Sequence, residues 1–260
     1  MSVHFRLWGL AFAFLISTAF GGAAQEPQQP PVFPPIPVDA KEEQVRQAVQ
    51  LVRAGQKLSA ALHPQMIQDI VRRSRHEIGV HGWMHENLPT IGDAAKEEQL
   101  LTQSIDYLTK AVGKRPVGFR APSWAFSWNT LDQIRKAGFL YDSSFMAMDE
   151  PYELIENGQQ TGMIELPINW IADDYPYYEP QASGSLPDPD LVYQIYKAEF
   201  DSAYQERTLF ILTMHPHITG HRSRIAQLDK LVTYMKSKPG VWFATLEQVA
   251  DYVKKSNASK

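Results

Sequence analysis

His81 and His85 stand four residues apart in H-E-I-G-V-H-G-W-M-H-E-N-L, residues 76–88. Neutral imidazole is the commonest protein ligand for zinc and similar ions, so the pair reads as two ligands of one divalent metal. An isolated H-x-x-x-H is common in proteins. This one follows a short apolar strand, His76–Val80, that turns at Gly82, and Glu86 and Asn87 add polar groups beside it. A second block, F-R-A-P-S-W, puts Arg120 at a strand end, where a guanidinium can orient a carboxylate through two parallel hydrogen bonds. Trp124 in the same block can wall a sugar-sized cleft, although a surface arginine and a packed tryptophan fit equally well. In L-T-M-H-P-H, His215 ends a strongly apolar run and Pro216 fixes the exit, a place suited to a general acid or base near neutral pH. His217 and His221 read as members of a solvated loop. Between these blocks lie Glu165, Trp170 and the tandem Asp173-Asp174. A tandem Asp after a strand is usually a turn, and is read as one here.

The elements that must carry these residues alternate. Helices are predicted over Ala40–Ala54, Gln65–Ser74, Ala94–Val112, Asn129 or Thr130 to Ala137, Leu191–Tyr204, Ile225–Met235 and Leu246–Val253, from apolar residues at helical spacing. Strands are predicted at His76–Val80, Val117–Phe119, Phe139–Tyr141, Ile164–Ile168, Leu209–Met214 and Val241–Ala244. Such alternation implies an α/β fold with a parallel sheet or barrel. His81, Arg120 and His215 each follow directly on a strand. In parallel α/β architectures the carboxyl ends of the strands form the active-site face.

The rest of the chain sets limits. Its 260 residues, net charge of −4 and 44% hydrophobic content are those of a globular protein with one large domain, or at most two small ones. The slight acidity and the lack of a basic run argue against a nucleic-acid partner. Arg6, the apolar run Leu7–Phe20 and the small residues after it have the order of a secretory signal peptide, cleaved after Ala24. The run is too short for a stable membrane span. The expected location is therefore periplasmic or extracellular. Residues 25–39 are a proline-rich linker of extended character, which leaves 40–260 as the folded domain. With no cysteine, the chain has neither a thiol nucleophile nor a cysteine-bound metal.

Together the blocks H-E-I-G-V-H-G-W-M-H-E-N, F-R-A-P-S-W-A-F-S-W-N-T-L with G-F-L-Y-D-S-S, I-E-L-P-I-N-W-I-A-D-D and L-T-M-H-P-H-I-T-G-H resemble, in order, the polysaccharide deacetylase family, also called the NodB-homology or carbohydrate esterase 4 family. The second and third blocks look most like the subgroup with peptidoglycan deacetylase-like and allantoinase-like members. The resemblance implies a distorted (β/α) barrel and a divalent metal, commonly zinc. It implies removal of N-acetyl groups from a peptidoglycan- or chitin-like glycan, a hydrolysis of carbon–nitrogen non-peptide bonds. Carried onto this chain, it makes His81 and His85 metal ligands and Arg120 the residue that positions a catalytic carboxylate. His215 becomes the general acid, and Trp124 and Trp170 the cleft walls. The family also begins with a strand ending in T-F-D-D-G or D-x-D, which supplies a third ligand and a base. This sequence has no such motif; Asp39 in I-P-V-D-A is a faint echo of it. The domain therefore reads as a family barrel without its first one or two strands. Its open sheet edge would be covered by the N-terminal helices or by a second chain in an oligomer. A glycan-binding member without turnover, and an allantoinase-like amide hydrolase, are the alternative functions.

Overall fold

The computed structural model describes residues 64–73, 76–179 and 184–258. The expected signal peptide, the proline-rich linker and the helix over Ala40–Ala54 lie outside them. In chain order the described elements are α1 (Pro64–Arg73), α2 (Leu88–Ile91), α3 (Ala94–Val112), β1 (Gly118–Phe119), α4 (Thr130–Lys136), β2 (Tyr141–Asp142), β3 (Tyr152–Glu156), β4 (Gln159–Glu165), α5 (Tyr175–Tyr178), α6 (Pro189–Glu206), α7 (Pro216–Thr219), α8 (Arg222–Lys236) and α9 (Leu246–Ala258). Among the described residues no helix is long and apolar enough to cross a membrane.

The fold is mixed α/β. The described strands form one open sheet of order β1-β2-β4-β3, with β1, β2 and β4 parallel and β3 antiparallel to β4. Val80 extends the sheet past β1 by a single parallel bridge to Phe119, and Asp173 makes another with Thr213. The β3–β4 hairpin was not expected from the periodicity. Its signal is the dipeptide Asn157-Gly158, with φ of 51° and 77°, which closes a two-residue turn of the kind that matches strand twist. Conversely, the strands expected at His76–Val80, Leu209–Met214 and Val241–Ala244 form no ladder beyond the single bridges at Val80 and Thr213. The run Leu209–Met214 is apolar because it is packed: Leu209 and Ile211 lie against α9.

Helices cover both faces of the sheet. On one, α3 presents Leu101, Ile105 and Leu108 at spacings of four and three, and they pack with Ile67, Val80, Phe119 and Ile134. Each such side chain is worth about 1.5–3 kcal/mol on burial. Asp93 caps this helix by accepting the Ala95 and Lys96 N–H groups, and Gly113 ends it at φ 79°. On the other face, Leu246 and Ala250 of α9 cover Tyr141, Ile164 and Leu166. A third cluster joins α6 to α8 through Val192, Tyr193, Tyr196 and Leu231.

Gly118 is required by contact. A Cβ there would sit 2.0 Å from the Tyr141 ring, whose hydroxyl donates to Glu77 Oε1 at 2.7 Å. Gly118→Ala is expected to expel the ring, break that bond and cost about 3 kcal/mol. A denaturant midpoint unchanged within error would contradict this.

Candidate active site at the strand ends

Arg120 follows β1, and His81 and His215 follow single parallel bridges at Val80 and Thr213. The Val80–Phe119 bridge delivers His81 and Arg120 side by side: Val80 N–H donates to Gly118 O and Arg120 N–H donates to Val80 O, both at 2.9 Å. His81 is buried, and its Nδ1 lies 2.7 Å from the Arg120 carbonyl oxygen. A carbonyl only accepts, so Nδ1 carries the proton and Nε2 keeps its lone pair. Burial, reinforced by the charges of His85, Arg120 and His215 and opposed by that hydrogen bond, pushes the His81 pKa down to about 3. Its ring is therefore neutral over the physiological range, the form a metal needs.

His85 reaches the same place by a tight loop. Gly82 has φ 73°, and a Cβ there would meet Pro122 Cγ at 2.8 Å. Glu86 clamps the turn by accepting the Trp83 N–H at 3.0 Å and the Met84 N–H at 2.7 Å. His85 itself takes a left-handed backbone, φ 56°, and its ring lies 5.1 Å from that of His81. Ser123 and Trp124 are left-handed too, at φ 53° and 57°. Non-glycine residues in this region cost about 1–3 kcal/mol each and persist where surrounding structure imposes them. Three of them cluster on two loops of the candidate site.

Arg120 is buried and held from below. Its Nε donates to Ser143 O and its Nη2 to Ser143 Oγ, both at 2.6 Å, while Nη1 reaches Thr213 Oγ1 at 3.4 Å. Across the site, Asp174 is fully buried. It accepts from His215 Nδ1 at 2.6 Å, from the His215 N–H at 3.0 Å and from the Thr219 hydroxyl. Asp173 Oδ1 accepts the Tyr175 N–H at 2.7 Å and lies 3.7 Å from His215 Nδ1. Burial alone would lower the His215 pKa. The hydrogen bond and charge of Asp174, helped by Asp173, outweigh it and leave the pKa raised. Asp173 is pushed up to about 6, chiefly by burial, against the pull of the Tyr175 N–H, His215 and Arg120. Trp124 and Trp170 stack 4.3 Å apart, tilted by 46°, with Trp170 half exposed. Tyr175 lies 5.6 Å from the His215 ring. Together they form an aromatic rim beside the polar floor.

Two groups of residues are of metal-binding type. Asp173, Asp174 and His215 offer three ligand atoms within 4.8 Å of one another. Both Asp174 oxygens and His215 Nδ1 are already committed to hydrogen bonds, so this cluster is better suited to holding a proton than an ion. His81 and His85 fit a metal better, because the His81 Nδ1–H is anchored on a carbonyl, the usual outer support of a ligating imidazole.

The sequence brought His81, His85 and His215 forward and read the tandem acids as a turn. Asp173-Asp174 reads locally as a turn, and does begin α5; its partner lies 41 residues on. The available signal was D-D-Y-P-Y-Y directly after an apolar stretch that ends at another strand end. Ser143 and Ser144 stand in the block G-F-L-Y-D-S-S, to which the resemblance attached no role.

Comparison with known proteins gives the family and the fold. The family model described as polysaccharide deacetylase matches residues 40–141. A peptidoglycan deacetylase of Helicobacter pylori is 30% identical over 71% of this chain and 72% of its own length. Among solved structures, a Mycobacterium smegmatis protein assigned to the polysaccharide deacetylases superposes with TM-score 0.70 at 33% identity, covering 76% of this chain and 69% of its own. PuuE allantoinase superposes with TM-score 0.65 at 26% identity, covering 74% and 63%.

Proposed function

Because the chain belongs to the polysaccharide deacetylase family, we propose that it is an exported, metal-dependent hydrolase that removes N-acetyl groups from a peptidoglycan- or chitin-like polysaccharide. The observation that carries the reading is the buried Asp174 carboxylate 2.6 Å from His215 Nδ1. That contact fixes the ring and raises its pKa, leaving Nε2 to present a proton to the site. Hydrolysis breaks the amide C–N bond and gives acetate and a free amine on the sugar. The departing nitrogen needs a proton, and His215 supplies it. Trp124 and Trp170 hold the sugar, and Arg120 sets the charge of the floor, where Asp173 feels both its guanidinium and His215.

His81 and His85 are the residues we assign to the metal, most simply zinc, with Nε2 the free atom of His81. When bound, such an ion polarises the acetyl carbonyl and lowers the pKa of water. The open sheet fits one wall of a distorted (β/α) barrel; among the described residues it ends at the Val80 bridge on one side and at β3 on the other. Purified protein is expected to bind about one zinc per chain, by elemental analysis, and to lose it in His81→Ala.

The deciding assay is acetate release from peptidoglycan fragments and chitooligosaccharides by zinc-loaded protein. Release that depends on His215 supports the reading; well-folded, zinc-loaded protein that releases none overturns it. The lack of a T-F-D-D-G motif favours one second reading, a member that binds glycan without turnover. Saturable binding unaccompanied by acetate would establish that reading. Preferential hydrolysis of a cyclic amide would instead place it with the allantoinase-like members.

A further inference from the structure

Beneath Arg120 lie two carboxyl groups that the proposed chemistry does not use. Asp142 and Glu165 are register partners on the parallel strands β2 and β4, so their side chains leave the sheet on the same face. Both are fully buried. The Ser144 N–H is shared between them, at 3.0 Å from Asp142 Oδ2 and 3.0 Å from Glu165 Oε1. Asp142 Oδ1 also accepts from Ser144 Oγ at 2.8 Å, and Glu165 Oε1 from the Phe145 N–H at 2.9 Å. Glu165 Oε2 is buried and has no donor. One oxygen of each group thus lies 3.0 Å from the same Ser144 nitrogen, which brings the two carboxyl groups together. Contact between two acceptors becomes a bond only when one of them holds a proton.

Charge leads to the same place. The Arg120 guanidinium faces both members of the pair and Asp173 as well, and the pair acts in turn on Tyr152. Tyr152 is neutral, its pKa raised to about 12 chiefly by burial. One guanidinium balances one carboxylate, and a second ionised acid in the same dry site would stand uncompensated. We propose that Asp142 and Glu165 share a single proton, carried on Glu165 Oε2 and donated to Asp142, and that the closed pair is a positioning unit for Arg120 and His81. Burial and the neighbouring acid both push Glu165 well above the ordinary carboxylate range.

The path outward is short. The pair fixes the Ser144 and Phe145 peptides and therefore Ser143, whose carbonyl and hydroxyl oxygens hold the Arg120 guanidinium. Ser144 Oγ meanwhile accepts the Ala121 N–H, pinning the chain immediately after Arg120. The Arg120 carbonyl then sets the tautomer of His81. Opening the pair would release both residues.

The test compares Glu165→Gln, which keeps a donor in place of the acid proton, with Glu165→Leu, which removes donor and acceptor together. Wild-type protein at neutral pH is expected to show the infrared C=O stretch of a buried protonated carboxyl group, and Glu165→Gln to lack it. Linkage gives a second readout. A folded pKa above the unfolded one means that the native state binds one extra proton between the two values, so stability falls as pH rises through that window. The unfolding constant of wild type should therefore climb about tenfold more per pH unit than that of Glu165→Gln across the neutral range. Glu165→Leu should lower kcat far more than it changes KM, with Glu165→Gln restoring most of the loss. This kinetic arm rests on the proposed activity, whereas the infrared and stability arms judge the proton whether or not acetate is released. Identical pH slopes for wild type and Glu165→Gln, absence of the band in wild type, or failure of Glu165→Gln to fold would each overturn the proposal. A glutamine as impaired as the leucine would overturn the positioning role.

Discussion

His215→Ala is expected to lower kcat for acetate release by ~10²–10⁴-fold, the usual worth of a positioned proton donor. KM should change little, because the imidazole is proposed to act on the departing nitrogen rather than to hold the sugar. The fold should survive. The His215 side chain is a quarter exposed, and after its removal Asp174 still accepts the backbone N–H of residue 215 and the Thr219 hydroxyl. The stability cost is then about 1 kcal/mol, that of one lost hydrogen bond. A substrate whose leaving group departs without a proton separates acid catalysis from general damage. Against an activated aryl acetate ester the variant should lose much less than against an N-acetyl glycan. Equal losses on both substrates would remove His215 from the role of acid.

The sequence made His215 visible, and the reason shows what periodicity can and cannot report. A histidine at the end of the run L-F-I-L-T-M is conspicuous because apolar runs are buried and their ends face the active-site side of an α/β fold. The same signal placed Arg120 at the end of β1, and His81 beside it after a single bridge at Val80 rather than a full strand. Yet the run itself forms only one bridge, at Thr213, because hydrophobicity records packing and is silent on hydrogen-bond partners. The helix over Ala94–Val112 was legible to the residue, since its cap, apolar spacing and glycine stop are all local. Asp174, Ser143 and the Asp142–Glu165 pair were not, because their meaning lies in partners 20 or more residues away. The tautomer of His81 depends on a carbonyl 39 residues distant, which no side-chain pattern encodes.

Asp174→Asn is the sharper probe, because it leaves the imidazole in place and changes what the imidazole can do. An asparagine oxygen accepts from His215 Nδ1–H without the charge that strengthens the bond, and its amide then faces either Thr219 or the His215 backbone N–H. We expect kcat at neutral pH to fall by ~10²-fold, partly from a lowered His215 pKa and partly from a loosened ring. The sign of the pH effect follows from the raised pKa of His215 in the folded protein. An acid must be protonated to act, so the alkaline limb of the kcat profile reports this group, and losing Asp174 should move that limb to lower pH. Stability moves in the same sense. A histidine whose folded pKa exceeds its unfolded value stabilises fully below about pH 6.5, and the contribution disappears as pH rises through the folded pKa. Wild type should therefore exceed Asp174→Asn in stability by most at mildly acidic pH, the gap narrowing toward alkaline pH. A limb that stays put, with a stability gap constant across the range, would mean that Asp174 braces the loop between Thr213 and Thr219 without tuning the acid.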